Sequence, residues 1–100
     1  KEVEIEGLKV TVRLLDKKDI EDRKLPKDTT GVIITKIAED SPVNYLQTGN
    51  IIVEAQKRKL NTIGDLENIV KVTLRSSEKT LLIAIYNNQN QRRYIGVKLD

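Results

Sequence analysis

The block from Gly31 to Glu54 constrains the fold of this chain more than any other part of the sequence. Residues 32–37 form an apolar, β-branched run that predicts a strand buried on both faces. Ser41-Pro42 ends this run, because proline has no N–H to donate and the Ser41 hydroxyl is suited to capping a short helix. Gly49-Asn50 is a turn signal, and residues 51–53 predict the next buried strand.

Residues 2–15 alternate apolar and polar side chains with one slip of phase. Val3 and Ile5 share one face, whereas the apolar residues from Leu8 to Leu14 share a face in the opposite phase. Because side chains alternate strictly along a strand, the slip at Glu6-Gly7 predicts a bulge or loop, and glycine tolerates the backbone that this requires. We therefore expect a kinked loop just before a half-exposed strand.

The following segment, residues 16–30, is rich in charge and has Ile20 and Leu25 as its apolar anchors. It predicts one short helix around Ile20 and a loop from Pro26 onward. Because charged runs of this kind are usually solvated, we interpret the segment as a solvated connection.

The second half of the chain predicts one long helix among strands. Thr62 is a suitable N-cap, and Lys57-Arg58-Lys59 is typical of a hairpin tip. Strands are predicted at Thr80–Tyr86 and Arg92–Leu99, joined by a turn at residues 87–90, where asparagine tolerates left-handed backbone. The helix follows from apolar and polar residues at helical spacing, namely Ile63, Leu66, Glu67, Ile69, Val70 and Leu74. Burial is expected for Ile34, Ile52, Leu66, Ile69 and Ile83.

These elements predict a β-rich α+β fold, a partly open β-barrel or sandwich of about six strands capped by one long helix and one or two short helices. The length of 100 residues predicts a single domain over residues 1–100, and we interpret the chain, which opens on Lys1, as a fragment of a longer protein. With 18 Lys+Arg against 15 Asp+Glu interspersed, the charge does not favour nucleic-acid binding, and no apolar window predicts membrane insertion.

Histidine and cysteine are absent from the sequence. A His-dependent serine or cysteine nucleophile and a thiolate zinc site therefore cannot be assembled within this chain. We expect no catalytic residues, no cofactor and no metal. Asp65 and Glu67 are interpreted as charges that favour the start of the helix dipole rather than as a general acid and base.

The block from Gly31 to Glu54 resembles the most recognisable stretch of bacterial PDZ domains, where a Gly-apolar strand is followed by Ser-Pro-Ala, Gly-Leu-x-x-Gly-Asp and another apolar strand. The closing Arg92–Leu99 strand and the Ile5-Glu6-Gly7 loop are similar to the second PDZ domain of HtrA/Deg-type periplasmic serine proteases. The resemblance implies the permuted bacterial topology, with the binding strand first and the long helix late. It also implies a periplasmic location, a role in protein quality control, and a serine endopeptidase domain elsewhere in the parent chain.

The resemblance further implies where a peptide binds, between the long helix and a docking strand that follows a carboxylate-binding loop. Carried over to this sequence, the loop is residues 5–8 and the docking strand is residues 8–13, whose open edge is expected to accept an added strand. The residues implied to bind peptide are Ile5, Glu6, Gly7, Leu8, Lys9, Val10, Val12, Ile63, Glu67 and Val70. Leu66 and Ile69 are expected to face the core.

The sequence departs from the family pattern in three places. Glu6 replaces an apolar residue, and its charge disfavours a bound C-terminal carboxylate. Gly49-Asn50 replaces Gly-Asp, and the segment from Pro42 to Leu46 is short enough to reduce its helix to one turn.

The implied function is a non-catalytic module that binds protein segments, C-termini or neighbouring PDZ and protease domains of the parent oligomer, and so controls assembly and substrate access. One alternative is a substrate-binding or regulatory PDZ domain of a membrane-embedded metalloprotease or of a secretion-system component. Another is an enzyme that uses carboxylate chemistry.

Overall fold

The structure, a computed structural model, describes residues 1–99, so the last residue of the predicted domain, Asp100, lies outside the described part. The strands are β1 (Val3–Ile5), β2 (Val10–Leu14), β3 (Val32–Ile37), β4 (Ile51–Ala55), β5 (Arg58–Lys59), β6 (Thr80–Tyr86) and β7 (Arg92–Lys98). The helices are α1 (Lys17–Arg23) and α2 (Ile63–Arg75). The seven strands exceed the predicted six by the two-residue strand β5.

All the strands pair antiparallel in one sheet of order β1-β2-β3-β4-β6-β7, with β5 paired to β4. The β-rich α+β fold is confirmed, with β2 early and the long helix α2 late in the chain. The predicted hairpin tip is confirmed too, since Gln56 and Lys57 join β4 to β5 with φ of 52° and 64°. No helix among the described residues is long and apolar enough to cross a membrane.

The main cluster of core residues joins the sheet to α2. The predicted core residues that are fully buried in it are Ile34, Ile52, Leu66 and Ile83. Ile69 packs against this cluster as expected, but its side chain is half-buried and not fully buried. The buried stripe of α2 is formed by Leu66, Val70 and Thr73, whose helical spacing leaves Ile69 at its margin.

A second, outer cluster covers part of the opposite face of the sheet. Leu25 is buried there with Ile51, and Ile20 packs against the same cluster. The helix α1 is present as predicted and is closed by a capping box, in which Asp16 Oδ1 accepts from Asp19 N at 2.9 Å and Asp19 Oδ2 accepts from Asp16 N at 2.8 Å. The charged residues of this segment are mostly exposed, as its interpretation as a solvated connection predicts, while the two apolar anchors cover part of the sheet.

The helix α2 is capped at its N-terminus by Thr62, as predicted. The Thr62 Oγ1 accepts from Asp65 N at 3.0 Å, while Asp65 Oδ2 accepts from Thr62 N at 3.0 Å and from Asn61 N at 2.8 Å. These backbone N–H groups, that of Asn61 foremost, hold the pKa of the Asp65 carboxyl below its usual range. The two acidic residues at the start of the helix therefore have different surroundings. Asp65 is part of the N-cap, whereas Glu67 lines a surface pocket.

The segment after Ser41 forms turns and no α-helix, in line with the expectation that its shortness reduces the helix. Its bonds, such as Asn44 N to Ser41 O at 3.1 Å, span three residues and close turns that do not continue into an α-helix. The buried Ser41 hydroxyl accepts from Val43 N at 3.0 Å and donates to the carbonyl of Leu8 at 2.6 Å. This corner is therefore fastened to the chain immediately before β2.

Candidate peptide-binding groove

The predicted carboxylate-binding loop closes a hairpin between β1 and β2. In this β1–β2 loop (residues 6–9), Lys9 N donates to Ile5 O at 2.9 Å. Gly7 has φ of 92° and Lys9 has φ of 54°, which is the left-handed backbone that glycine adopts at least cost. The phase slip at Glu6-Gly7 therefore corresponds to a tight loop, as predicted.

Strand β1 lies along one edge of β2. Val3 lies opposite Val12, Glu4 opposite Thr11, and Ile5 opposite Val10. The other edge of β2 pairs with β3. The expectation that the docking strand has an open edge is therefore wrong, because the loop turns the N-terminal residues back onto that edge.

The predicted site residues come together but differ widely in exposure. Five of them are fully buried in the main cluster, namely Ile5, Leu8, Val10, Val12 and Val70. Ile63, Glu67 and Gly7 are half-buried, whereas Glu6 and Lys9 are exposed. The resemblance implies that Val70 faces a groove, whereas in the structure its side chain is fully buried.

The helix α2 packs directly on the β1–β2 loop. A Cβ atom placed on Gly7 would lie 2.9 Å from both Val70 Cγ1 and Leu74 Cδ1, closer than real Cβ contacts. Glycine is therefore required at this position by its backbone and by the helix together. Sequence reasoning placed Leu74 on the helix but did not assign it to the site; its spacing of four residues from Val70 is the signal that links the two.

An acidic pocket lies where β1, the loop and α2 meet. It is lined by Glu4, Glu6, Glu67 and Lys71, three carboxylates against one ammonium group. Sequence reasoning missed Glu4 and Lys71, although Lys71 follows Glu67 at the helical spacing of four residues. This pocket favours cationic groups and disfavours a peptide carboxylate.

Lys9 is engaged on the far side of the loop. Its Nζ lies 2.8 Å from Asp40 Oδ2, and this hydrogen bond holds the pKa of the Asp40 carboxyl below its usual range. With both groups exposed, the pair is screened and adds little stability. The two side chains lie beside Gly7 and Pro42, and these four residues line a second small pocket next to the loop.

The far end of β2 is tied to α1 by a stronger ion pair. Arg13 Nη1 lies 2.8 Å from Asp19 Oδ2, and Arg13 Nη2 lies 2.9 Å from Asp19 Oδ1, which is a two-pronged contact. This contact holds the pKa of the Asp19 carboxyl well below its usual range. The hairpin is therefore anchored at its loop by Ser41 and at its opposite end by Asp19.

No protein-family model matches this sequence, and no curated protein matches it. Among solved structures, the chain is similar to the HtrA-type protease AlgW with a decapeptide, with a TM-score of 0.69 and 20% identity over 92% of this chain and 28% of that chain. It is also similar to the HtrA3 PDZ domain bound to a phage-derived ligand, FGRWV, with a TM-score of 0.70 and 22% identity over 100% of this chain and 86% of that chain.

These likenesses show that the chain has the PDZ fold, as predicted. The chain spans 28% of the AlgW chain, so it corresponds to one part of that larger protein.

Proposed function

We propose that this chain is a non-catalytic, peptide- and protein-binding PDZ module of an HtrA/Deg-type serine protease. The observation that carries the proposal is the likeness over the whole chain to the HtrA3 PDZ domain, which was solved with a peptide ligand. The likeness to AlgW, an HtrA-type protease with a decapeptide, supports the same class of parent protein. PDZ domains bind an extended segment by adding it to a sheet, so that main-chain hydrogen bonds give affinity and alternate side chains give specificity.

Within this proposal the module is the C-terminal PDZ domain of a periplasmic protease. The loop sequence Ile5-Glu6-Gly7 supports that position, because it resembles the apolar-Glu-Gly loop of the family's second PDZ domains. The catalytic residues then belong to another domain of the parent chain, and this module acts in oligomer assembly and substrate access. Neighbouring subunits bring their strands to high effective concentration, which favours strand pairing between subunits.

Peptide binding is tested by titrating the ¹⁵N-labelled chain with the pentapeptide FGRWV and following backbone amide shifts. We expect the shifts to map to the β1–β2 hairpin and the face of α2 that packs on it. The matched control is the same peptide with its residues scrambled. Binding confined to β7, or no shifts at millimolar peptide, would contradict the proposal.

The assembly role is tested in the parent protease by deleting this module. We expect the oligomer size measured by light scattering to change, while hydrolysis of a short peptide substrate is retained. An unchanged oligomer that no longer recruits protein substrates would assign the module to substrate capture instead.

A further inference from the structure

We infer that β1 is an internal ligand: residues 3–5 of the chain occupy the edge of β2 that an added strand takes, and an external ligand binds by displacing them. This inference rests on the proposed function and names the ligand class of that site. It follows from the direction, the side-chain fit and the weak tethering of β1.

The direction of β1 is that of an added C-terminal segment. It runs antiparallel to β2, and its last residue, Ile5, lies beside the β1–β2 loop. The helix α2 packs against both β1 and β2, so β1 lies on the side of β2 that the helix flanks. Lys9 N donates to the carbonyl of Ile5, so an amide of the loop already binds the last residue of β1.

The side chains of β1 alternate as those of a bound strand do. Ile5 is fully buried in the main cluster, Val3 packs partly against it, and Glu4 between them is exposed. The ligand class that fits is therefore an extended segment with a β-branched aliphatic residue nearest the loop and a second one two residues before it. The residue between them is free to be polar, as the exposed Glu4 is in β1.

The tether that holds β1 is weak compared with the rest of the sheet. The strand has three residues, and the two residues before it are exposed. Glu2 is held by one exposed contact, in which Thr35 Oγ1 lies 3.1 Å from Glu2 Oε1. A three-residue strand with so few contacts beyond its partner strand opens locally without unfolding the domain. The affinity of an external ligand is then reduced in proportion to the fraction of molecules in which β1 has opened.

The inference is tested by locking β1 in the full chain with a Glu4→Cys/Thr11→Cys pair. The two positions lie opposite each other outside the core, and the chain has no cysteine of its own. Directly opposed strand residues are close enough for a disulfide. The matched control is Thr80→Cys/Lys98→Cys, an opposed pair between β6 and β7.

The probe is the peptide Lys-Glu-Val-Glu-Ile with a C-terminal amide, which copies residues 1–5 without adding a carboxylate at the loop, and amidated Lys-Glu-Asp-Glu-Asp serves as the negative peptide. We expect the reduced lock variant to bind the probe and the oxidised form to bind it about tenfold more weakly or not at all. Oxidation of the control pair should leave binding unchanged. Val3→Asp, which weakens β1 in the otherwise native chain, should bind the probe several-fold more tightly.

Equal binding by the oxidised and reduced lock variants would overturn the inference and leave the proposed function intact. Failure of the disulfide to form would overturn it as well, because β1 would then not lie opposite β2. If neither the reduced lock variant nor Val3→Asp binds the probe or FGRWV, the proposed function itself is contradicted.

Discussion

Ile5 lies directly opposite Val10 at the closed end of the β1–β2 hairpin, and both side chains are fully buried in the main cluster. The strand that a peptide is implied to join is thus already paired, and its partner belongs to the same chain. Burying an isoleucine side chain contributes about 1.5–3 kcal/mol. An external ligand that displaces β1 from this edge must offset a free energy of this size.

Gly7→Ala tests the contact between the loop and α2. The added methyl group would lie 2.9 Å from Val70 and Leu74 at a backbone φ of 92°, so we expect a loss of about 1–3 kcal/mol in the free energy of unfolding. Urea denaturation measures this. The matched control is Gly96→Ala, where an added Cβ meets nothing within 4 Å, and there the loss should be absent.

Leu66→Ala tests the helical phase of α2. The side chain is fully buried, so its removal should cost about 2–5 kcal/mol in the free energy of unfolding through lost transfer energy and a cavity. Val72→Ala on the exposed face of the same helix should change stability by about 0.5 kcal/mol or less. Similar losses for the two variants in urea melts would contradict the buried stripe described above.

Asp19→Asn tests the ion pair that anchors β2 to α1. The pKa of Asp19 is lowered by Arg13, so its stabilisation is present above the pKa of an unfolded aspartate, about 3.9, and is lost as the pH falls through the lower pKa of the folded state. We expect the variant to be less stable by about 1–2 kcal/mol at pH 7, and the difference to shrink steadily below about pH 4.

Thermal melts of both proteins across this pH range measure the effect. The control is Asp22→Asn, whose carboxylate pairs with Lys18 on an exposed face of α1 and should show little effect at any pH. A stability difference between Asp19→Asn and the native chain that is constant from pH 7 to pH 3 would rule out the ion pair as its cause.

Glu6→Leu tests the charge of the acidic pocket. Removing this carboxylate should strengthen the binding of a peptide with a free C-terminal carboxylate several-fold, because like-charge repulsion is relieved. The matched control is the same peptide with a C-terminal amide, whose affinity should change much less. Calorimetry of both peptides decides, and an equal gain for the two would assign the effect to hydrophobic contact with the new leucine.

Locally determined features could be read from the sequence. The capping residue Thr62 precedes its helix within the same few residues that it serves, and the glycine in the Glu6-Gly7 slip marks the loop directly. The phase of a helical stripe is less certain, because Ile69 and Val70 are both apolar neighbours and packing decides which one faces inward. Val70 proves to be fully buried, and Ile69 is half-buried at the margin of the same cluster.

Features that depend on contacts distant in sequence could not be read in this way. Leu25 stands in a charged segment, and its burial depends on the sheet face presented by residues such as Ile51. The pairing of Val3 with Val12 likewise depends on the loop turning the chain back on itself, which periodicity alone does not specify. The structure therefore brings the predicted site residues together, but the pairing of β1 with β2 was not foreseen.

The central claim is that β1 covers the β2 edge at which a peptide binds. Nuclear Overhauser effects between Val3 and Val12, and between Glu4 and Thr11, test it most directly in the native chain. We predict that these cross-strand contacts are present in the free protein and disappear when FGRWV saturates it. Their absence from the free protein, or their persistence at saturation, would contradict the account.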